Sequence, residues 1–393
     1  MTASSGIVNF NPYSRSHLGD PFPVYSALRE EAPVHRNERP PFWAVSRFDD
    51  VDMVLRHPET FISGAGITLD GFTGLKPMII LMDPPRQGEL RRVLQHAFSR
   101  GPTAAAETVV RSAAVDLLDA MAGRDVVDLV EAFTGPLPVI VIAELLGVDP
   151  GDRAAFKSWS DGIMTTTTGD GGALIENYTR IFDYFEQTVA DRRRAPRDDL
   201  VSELVAAQVG GVSLSDDEIL GFCALLLIAG NETTTNLLGN MAILLARHPE
   251  VRAQLVDDPS LVPAAVEETL RFEGPVPTLT RTTACEVELR GRTIPAGEKV
   301  LLLLAAANRD PRVFDEGDSF DLHRSSSRQL AFGTGIHYCM GANLARLEAR
   351  VAFEELLARH PRYRINSDPV QYVNTPSIRG PVELRTALAP STP

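Results

Sequence analysis

The chain has 393 residues, of which 44% are hydrophobic and 23% are charged, a balance typical of globular proteins that fold in water. Its formal net charge of −14, with no basic stretch interleaved with aromatic residues, argues against nucleic-acid binding. The 3 cysteines include no C-x-x-C pair, which excludes a disulfide framework and the usual zinc and iron–sulfur sites and favours a reducing cytoplasm.

The N-terminus and the apolar runs argue against a membrane. Residues 1–6 (MTASSG) lack the basic region and apolar core of a signal peptide. The longest apolar run, Ile219 to Ala229, is about half of the ~20 residues that a spanning helix needs. We therefore expect a cytoplasmic protein without membrane contact. Because apolar periodicity continues without a linker, we also expect one domain over residues 1–393, present as a monomer.

Apolar residues at three- and four-residue spacing predict helices through the first half of the chain. Two of them, Pro23 to Glu31 and Asp49 to Arg56, flank a short strand at Phe42 to Val45. Those that follow are Glu89 to Phe98, Ala104 to Met121, Val139 to Leu146, Ile175 to Arg193 and Asp199 to Gln208. The Thr-rich tract Thr165 to Thr168 predicts a mobile loop.

The longest predicted helix runs from an N-cap at about Ser215 to Ala246. Its ~30 residues would span ~45 Å, so it should cross the whole domain and be buried. Short strands follow at Val287 to Leu289, at Lys299 to Leu304 and after Tyr363. The pattern predicts a mainly α fold with small peripheral β-sheets.

The long helix contains a break in its apolar run, Ala229-Gly230-Asn231-Glu232-Thr233-Thr234. Ala229 and Thr233 lie one turn apart on one face, where small residues leave a notch for a diatomic ligand and water. The Thr233 hydroxyl can bond back to the Ala229 carbonyl or turn outward, and a simple helix kink is the alternative interpretation.

A loop with one cysteine carries the second motif, FGTGIHYCMG over residues 332–341. Its glycines permit tight turns and close approach to a flat cofactor. A helix predicted from about Gly341 points its positive N-terminal end at Cys339 and favours a thiolate. This placement indicates an axial metal ligand; the alternative is an inert buried cysteine beside an ordinary turn.

At these motifs the chain resembles the cytochrome P-450 superfamily. The matching cysteine-loop residues are Phe332, Gly333, His337, Cys339 and Gly341. The resemblance implies that haem b lies between the long helix and this loop, with Cys339 as the protein ligand of the iron.

The long-helix motif also matches that family. The resemblance implies that Ala229 and Gly230 make room beside the haem, that Glu232 relays protons and that Thr233 assists cleavage of the oxygen–oxygen bond.

Glu268 and Arg271, three residues apart on one predicted helix face, match the family's Glu-x-x-Arg. The resemblance implies a buried charge network that holds the haem-binding core. The family usually adds an arginine where this chain has Ser319, and Arg324 and Arg328 are the candidates to replace it.

Haem carries two propionates, which need donors or cations in a buried site. By resemblance, Arg91, Arg281 and His337 supply them. Gln87 stands where the family commonly has a histidine, so it offers a hydrogen bond without a charge.

The substrate pocket is expected, by family position, along the loop from Gly64 to Ile80, the tract Met164 to Thr168, and residues 227–228, 276–279 and 375–378. Ile228, Val276, Leu279 and Ile378 represent these segments. Because they are mostly apolar, we expect a lipophilic small-molecule substrate.

The function implied by the resemblance is bacterial, cytoplasmic monooxygenation in secondary metabolism: hydroxylation, dealkylation or epoxidation with O2 as co-substrate. NAD(P)H electrons should arrive indirectly, through a ferredoxin reductase and a ferredoxin. Two rivals remain open, a peroxide-driven peroxygenase and a haem-based ligand sensor.

A cluster of arginines predicts where the ferredoxin docks. Arg91, Arg92, Arg100, Arg346 and Arg350 fall on segments expected on the cysteine side of the haem, and a basic face there would attract an acidic protein.

Overall fold

The computed structural model describes residues 9–71, 76–95, 98, 106–165, 171–325, 327–366 and 369–388. The α-helices of these ranges are α1 (Arg15–Gly19), α2 (Phe22–Glu31), α3 (Phe48–Arg56), α4 (Arg86–Leu94), α5 (Glu107–Ala120), α6 (Pro136–Leu146), α7 (Arg153–Thr165), α8 (Gly171–Arg194), α9 (Leu200–Ala206), α10 (Asp216–Arg247), α11 (Pro249–Asp257), α12 (Val262–Glu273), α13 (Leu304–Ala307) and α14 (Ala342–Arg359). Short 3₁₀ turns include Ile79–Leu81 and Gly335–His337.

The strands are short and lie at the periphery. They are β1 (Val34–Glu38), β2 (Pro41–Val45), β3 (Phe61–Ile62), β4 (Val126–Asp128), β5 (Gln208–Val209), β6 (Val212–Ser213), β7 (Thr278–Thr283), β8 (Val287–Leu289), β9 (Arg292–Ile294), β10 (Lys299–Leu303), β11 (Arg364–Ile365) and β12 (Arg385–Ala387). The largest sheet has the order β1-β2-β10-β7-β3, in which β2 and β10 are parallel. It therefore joins the N-terminal strands to the segment that follows α12.

Helix α10 is the central element, and its first turn explains where it begins. Ser215 caps the helix by accepting from the Glu218 N–H, and the Glu218 carboxylate accepts the Ser215 N–H at 3.0 Å, which is a capping box. Its 32 residues span ~48 Å. It packs against α6, α8, α12 and α14, so most of its length is buried in the core.

The predicted elements agree with the structure in kind. The mainly helical fold with small sheets is confirmed, and the long helix starts at the predicted N-cap. The helix predicted at Glu89 to Phe98 instead begins at Arg86, directly after Pro84-Pro85, because proline is well accommodated at a helix start. Elements without a predicted counterpart include helices α1, α7 and α11 and strands β1, β4 and β7. The Thr-rich tract ends α7 at Thr165, and residues 166–170 lie outside the described ranges.

Within the described ranges, none of the helices combines the length and the apolarity that crossing a membrane requires.

Candidate active site at the Cys339 loop

Two glycines with positive φ shape the loop that carries Cys339. Gly333 and Gly335 have φ angles of 66° and 68°, which side-chain-bearing residues rarely adopt. A Cβ on Gly335 would also lie 2.6 Å from the Leu55 carbonyl oxygen, so only glycine lets the loop rest on the end of α3. The Cys339 N–H donates to the Phe332 carbonyl at 2.9 Å and closes the loop.

Burial and nearby positive groups act on the Cys339 sulfur in opposite directions, and burial has the larger effect, so the net pKa is raised. Burial raises the pKa of the Cys339 thiol, whereas the Gly341 N–H and the charges of Arg91 and Arg346 lower it. Gly341 is the N-cap residue of α14, and a Cβ there would lie 4.0 Å from the sulfur. The helix N-terminus and two arginines thus act on the thiolate together, while the small residue leaves the sulfur uncrowded.

A cavity with about 1480 Å³ of atom-free space, part of it open to solvent, lies between α10 and the Cys339 loop. Helix α10 lines it with a stripe of three- and four-residue spacing: Phe222, Leu225, Leu226, Ala229, Gly230, Thr233, Thr234 and Leu237. The loop lines it with Phe332, Gly333, His337, Cys339 and Gly341. The cysteine and the Ala229–Thr233 notch therefore face one shared space.

Of its two predicted positions, the Thr233 hydroxyl occupies the one that is bonded back to its own helix. It donates to the Ala229 carbonyl at 2.6 Å. The Glu232 carboxylate accepts the Asn236 side-chain N–H at 3.0 Å, and Glu232 is not among the residues that line the described cavity. Gly230 allows Ile142 of α6 to pack closely on this part of α10, because a Cβ on Gly230 would lie 2.9 Å from Ile142 Cδ1.

Cations and donors gather on one side of the cavity. Arg91, Arg281 and His337 line it, and Arg281 is only 4% exposed. Within the described residues no carboxylate forms an ion pair with Arg281, although the charge of Asp83 reaches it. Burial lowers the pKa of Arg281 to about 10, and burial together with Arg281 lowers the pKa of His337 to about 4.

This donor set fits haem. A buried arginine without a carboxylate partner is costly, and a group that brings two carboxylates relieves that cost. The Arg91 guanidinium donates to the Tyr338 carbonyl at 2.6 Å, so it also braces the cysteine loop. Gln87 is buried and donates to the Ile336 carbonyl at 2.7 Å, which gives it a bracing contact of the same kind.

Glu268 and Arg271 form a buried two-pronged ion pair, with N–O distances of 2.8 and 2.7 Å. Arg324 completes the network: its Nε lies 3.3 Å from Glu268 Oε1. Ser319 contributes a carbonyl that accepts from Arg271 at 2.9 Å. Arg328, the other candidate, instead lies over the Phe48 ring, and no contact among the described residues joins it to Glu268 or Arg271.

Two expected pocket residues lie elsewhere. Val276 and Leu279 line the cavity, but Ile228 does not, because it lies about 100° from Ala229 on the side of the helix away from Gly230, and Leu225 and Leu226 face the cavity instead. Ile378 lines a smaller crevice beside His17 and Tyr25. The expected contribution of the tract Met164 to Thr168 lies mainly outside the described residues.

Glu348 is a cavity residue that no sequence motif indicated. Its side chain is 1% exposed, it lines the cavity, and its Oε2 atom has no hydrogen-bond partner among the described residues. Burial raises the pKa of Glu348 to about 8. A signal was present in the sequence: Leu344, Leu347 and Val351 mark the apolar face of α14, and Glu348 falls on that same face.

The predicted basic face is largely neutralised. Arg346 pairs with Glu267, and Arg350 pairs with Glu107 at 2.6 Å and with Glu354 at 2.9 Å. Arg92 is exposed and forms no ion pair with a described residue. Arg100 lies outside the described residues. The expected cluster therefore reduces to the region of Arg91 and Arg92.

Comparison with known proteins gives one consistent family. The family model described as Cytochrome P450 matches residues 172–375. The erythromycin C-12 hydroxylase of Saccharopolyspora erythraea is 40% identical over 349 residues, covering 87% of each chain. The cyclomarin C epoxidase CymV of Salinispora arenicola is 35% identical over 370 residues, covering 92% of this chain and 94% of the other. The solved structure of cytochrome P450 CYP109Q5 from Chondromyces apiculatus has a TM-score of 0.91 and 40% identity, covering 98% of this chain and 100% of that one.

Proposed function

The chain belongs to the cytochrome P450 superfamily and is a haem-dependent monooxygenase, and on that basis we propose which residues carry the reaction and which class of substrate it takes. The proposal is that Cys339 holds the iron, that Glu232 and Thr233 serve oxygen chemistry, and that a lipophilic small molecule is oxidised. The observation that carries it is that Cys339 and Thr233 line one cavity from opposite sides.

When bound, haem supplies the activation of O2 with electrons from a redox partner. The residues of the chain would bind the haem and form the cavity around it. Cys339 would hold the iron through its sulfur, and the Gly341 N–H and the charges of Arg91 and Arg346 would favour its thiolate form against the effect of burial. Arg281, His337 and Arg91 would hold the two propionates, because these cations and donors line the cavity.

Proton delivery falls to α10. Thr233 keeps its hydroxyl at the Ala229 carbonyl, within one side-chain rotation of the cavity. Glu232 is adjacent, and its bond to Asn236 holds the carboxylate outside the cavity wall, from where it can take up protons. Thr233 thus connects the cavity to the Glu232 carboxylate, and the charge of that carboxylate stays away from the substrate.

The cavity wall selects the substrate class. Away from the cysteine loop it consists mainly of apolar residues: Ile67, Ile79, Ile80, Phe98, Ile142, Phe222, Leu225, Leu226, Val276 and Leu279. Outside the cysteine loop, the described lining residues that carry hydroxyls are Thr233 and Thr234, and such an apolar wall suits a lipophilic small molecule with few charges. The two relatives named above act on erythromycin and cyclomarin C by their names, which is consistent with a sizeable organic substrate.

Electrons come from a ferredoxin and its reductase in this proposal. The exposed Arg92 and the neighbouring Arg91 offer positive charge beside the loop that carries Cys339. Because the chain as a whole is strongly acidic, such a local patch is where an acidic partner would approach.

The test is coupling of electrons to product. With a substrate found by a spin-shift screen, the parent protein should form product with NAD(P)H, ferredoxin and reductase far faster than with hydrogen peroxide. Thr233→Ala should keep haem and substrate binding but lower the product per NAD(P)H by about tenfold or more, because a proton donor is lost. Thr235→Ala, which lies outside the described cavity, is the matched control. Equal turnover with peroxide, together with unchanged coupling in Thr233→Ala, would contradict the proposal.

A further inference from the structure

One wall of the cavity is a segment that is fastened to α10 at both ends. We call residues Lys76–Arg86 the strap. It contains the 3₁₀ turn Ile79–Leu81, and Ile79 and Ile80 line the cavity. Met78 and Ile79 are 4% and 7% exposed, so the middle of the strap is packed into the core.

Ion pairs hold the two ends of the strap to the first turn of α10. At one end, Lys76 Nζ lies 2.6 Å from Asp217 Oδ1. At the other end, Arg86 Nε donates to Glu218 Oε1 at 2.7 Å. Lys76 also lies over the Phe182 ring of α8, at 5.8 Å from its centroid. The strap is therefore anchored through adjacent acidic residues of a single helix turn.

Between these anchors the strap touches α10 at a glycine. A Cβ built on Gly221 would lie 2.0 Å from the Pro77 carbonyl oxygen and 2.8 Å from the Pro77 carbonyl carbon. Both are backbone atoms, which cannot rotate away as a side chain can. Gly221 follows Asp217 by four residues, so the contact and the Lys76 anchor share one face of α10. The next residue, Phe222, already lines the cavity.

We propose that Gly221 is a positioning residue that determines substrate size: its missing side chain sets how closely the strap lies on α10, and hence how far Ile79 and Ile80 reach into the cavity. This inference rests on the proposed function in one respect, that the substrate occupies this cavity. The Lys76–Asp217 and Arg86–Glu218 pairs keep the strap at the distance that the glycine permits.

The contact distances give the direction of the effect. Restoring an ordinary contact of 3.4 Å from 2.0 Å requires Pro77 and α10 to separate by about 1.4 Å in Gly221→Ala. Ile79 lies two residues from Pro77 in the same strap. A shift of Pro77 away from α10 therefore moves Ile79, and with it this wall of the cavity, outward. Bulky ligands gain room, whereas small ligands gain nothing and lose close contact with the wall.

The experiment measures ligand size preference in the haem-loaded full chain. Imidazole, 4-phenylimidazole and a biphenyl-substituted imidazole are titrated, and the shift of the haem absorption band gives each Kd. In Gly221→Ala the ratio of the Kd for 4-phenylimidazole to that for the biphenyl compound should rise by about tenfold, the effect of relieving one overpacked contact. Gly88→Ala is the control, because a Cβ on Gly88 of α4 meets nothing within 4 Å. Its ratio should match that of the parent.

An unchanged ratio in Gly221→Ala would overturn the inference. If that variant does not fold, variants of the ion pair between Lys76 and Asp217 provide the test. Lys76→Gln, Asp217→Asn and the double variant should each speed association of the biphenyl compound by the same factor of about two to five. This factor corresponds to the free energy of one exposed ion pair. Effects that are additive or absent would overturn it. A parent protein that binds haem but none of the imidazoles would instead contradict the proposed function, which keeps the two failures distinct.

Discussion

Glu348 is a buried acid that faces the haem cavity. The cause of its raised pKa is burial. The arginines next to it on α14 are engaged elsewhere, Arg346 with Glu267 and Arg350 with Glu107 and Glu354. Glu348 is therefore expected to be neutral at pH 7.

This environment predicts how stability depends on pH. The pKa of Glu348 is about 8 in the folded chain and about 4.3 when unfolded, so the folded state holds the extra proton between these values. The contribution of Glu348 to stability is therefore greatest below about pH 4 and is lost as the pH rises through 8. Glu348→Gln should remove that loss and raise the thermal midpoint by several degrees at pH 8.5 relative to the parent, with a smaller difference at pH 6.

Thermal midpoints across pH 5.5 to 8.5 check this, and Glu38→Gln at an exposed position of β1 serves as the control. Parallel curves for the parent and Glu348→Gln would show that Glu348 does not titrate in this way.

The ion-pair network around α12 includes residues from distant segments, which the Glu-x-x-Arg spacing alone does not identify. Arg271 donates to the carbonyls of Asn308, Gly317 and Ser319, and so ties α12 to the segment after α13. Glu268 accepts from Arg271, from Arg324 and from the Asp321 N–H at 3.0 Å. The network thus supports the chain that leads into the cysteine loop.

Arg324 and Arg328 give a matched pair for testing the network. Arg324→Ala leaves the buried Glu268 with one cation fewer, so it should lower the free energy of unfolding by about 1 to 3 kcal/mol and reduce haem content. Among the described residues, Arg328→Ala removes a stacking contact with Phe48 and should cost less than about 1 kcal/mol. Haem content per chain and denaturant unfolding measure both. Equal losses in the two variants would mean that Arg324 does not complete the network.

Elements with local signals were predicted well. The capping box at Ser215 and Glu218 lies within four residues, so the start of α10 follows from local chemistry. The cysteine loop also follows from local chemistry, since its glycines and the hydrogen bond from the Cys339 N–H to the Phe332 carbonyl fall within residues 332–341. The face of α10 that lines the cavity follows helix phase: it includes Leu226 and Ala229, whereas Ile228, which family position placed in the pocket, does not line the cavity.

Contacts between distant segments could not be predicted in this way. The approach of Pro77 to Gly221, and the pairing of Lys76 with Asp217, join residues more than 140 positions apart. Glycine in a helix offers a sequence hint of close packing, but not the identity of its neighbour.

The arginines near the cysteine loop differ in whether an acidic residue neutralises their charge. The net charge is −14, yet Arg92 of α4 is exposed while Arg346 and Arg350 are paired with acids. If the redox partner is the acidic ferredoxin proposed above, we expect its electrostatic steering to depend on Arg92 more than on Arg346.

Arg92→Glu should slow reduction by ferredoxin several-fold at low salt, and the difference should shrink as salt screens charges beyond a Debye length of roughly 8 to 10 Å. Substrate binding should be unchanged. Stopped-flow reduction across an ionic-strength series measures this, with Arg15→Glu, far along the chain, as the control. Identical rates for Arg92→Glu and the parent at every salt concentration would place the docking face elsewhere.

The single domain over residues 1–393 stays a prediction. Helix α10 contacts helices from both halves of the chain, and the largest sheet pairs β2 with β10. We expect one cooperative unfolding transition for the haem-loaded protein, because these elements share a core.

The central claim is that Cys339 holds the haem iron as a thiolate, and the carbonmonoxy spectrum of the reduced protein tests it most directly. Cys339→Ser should lose the thiolate-type spectrum, while Cys285→Ser, at an exposed position, should keep it. A thiolate-type spectrum that persists in Cys339→Ser would contradict the account.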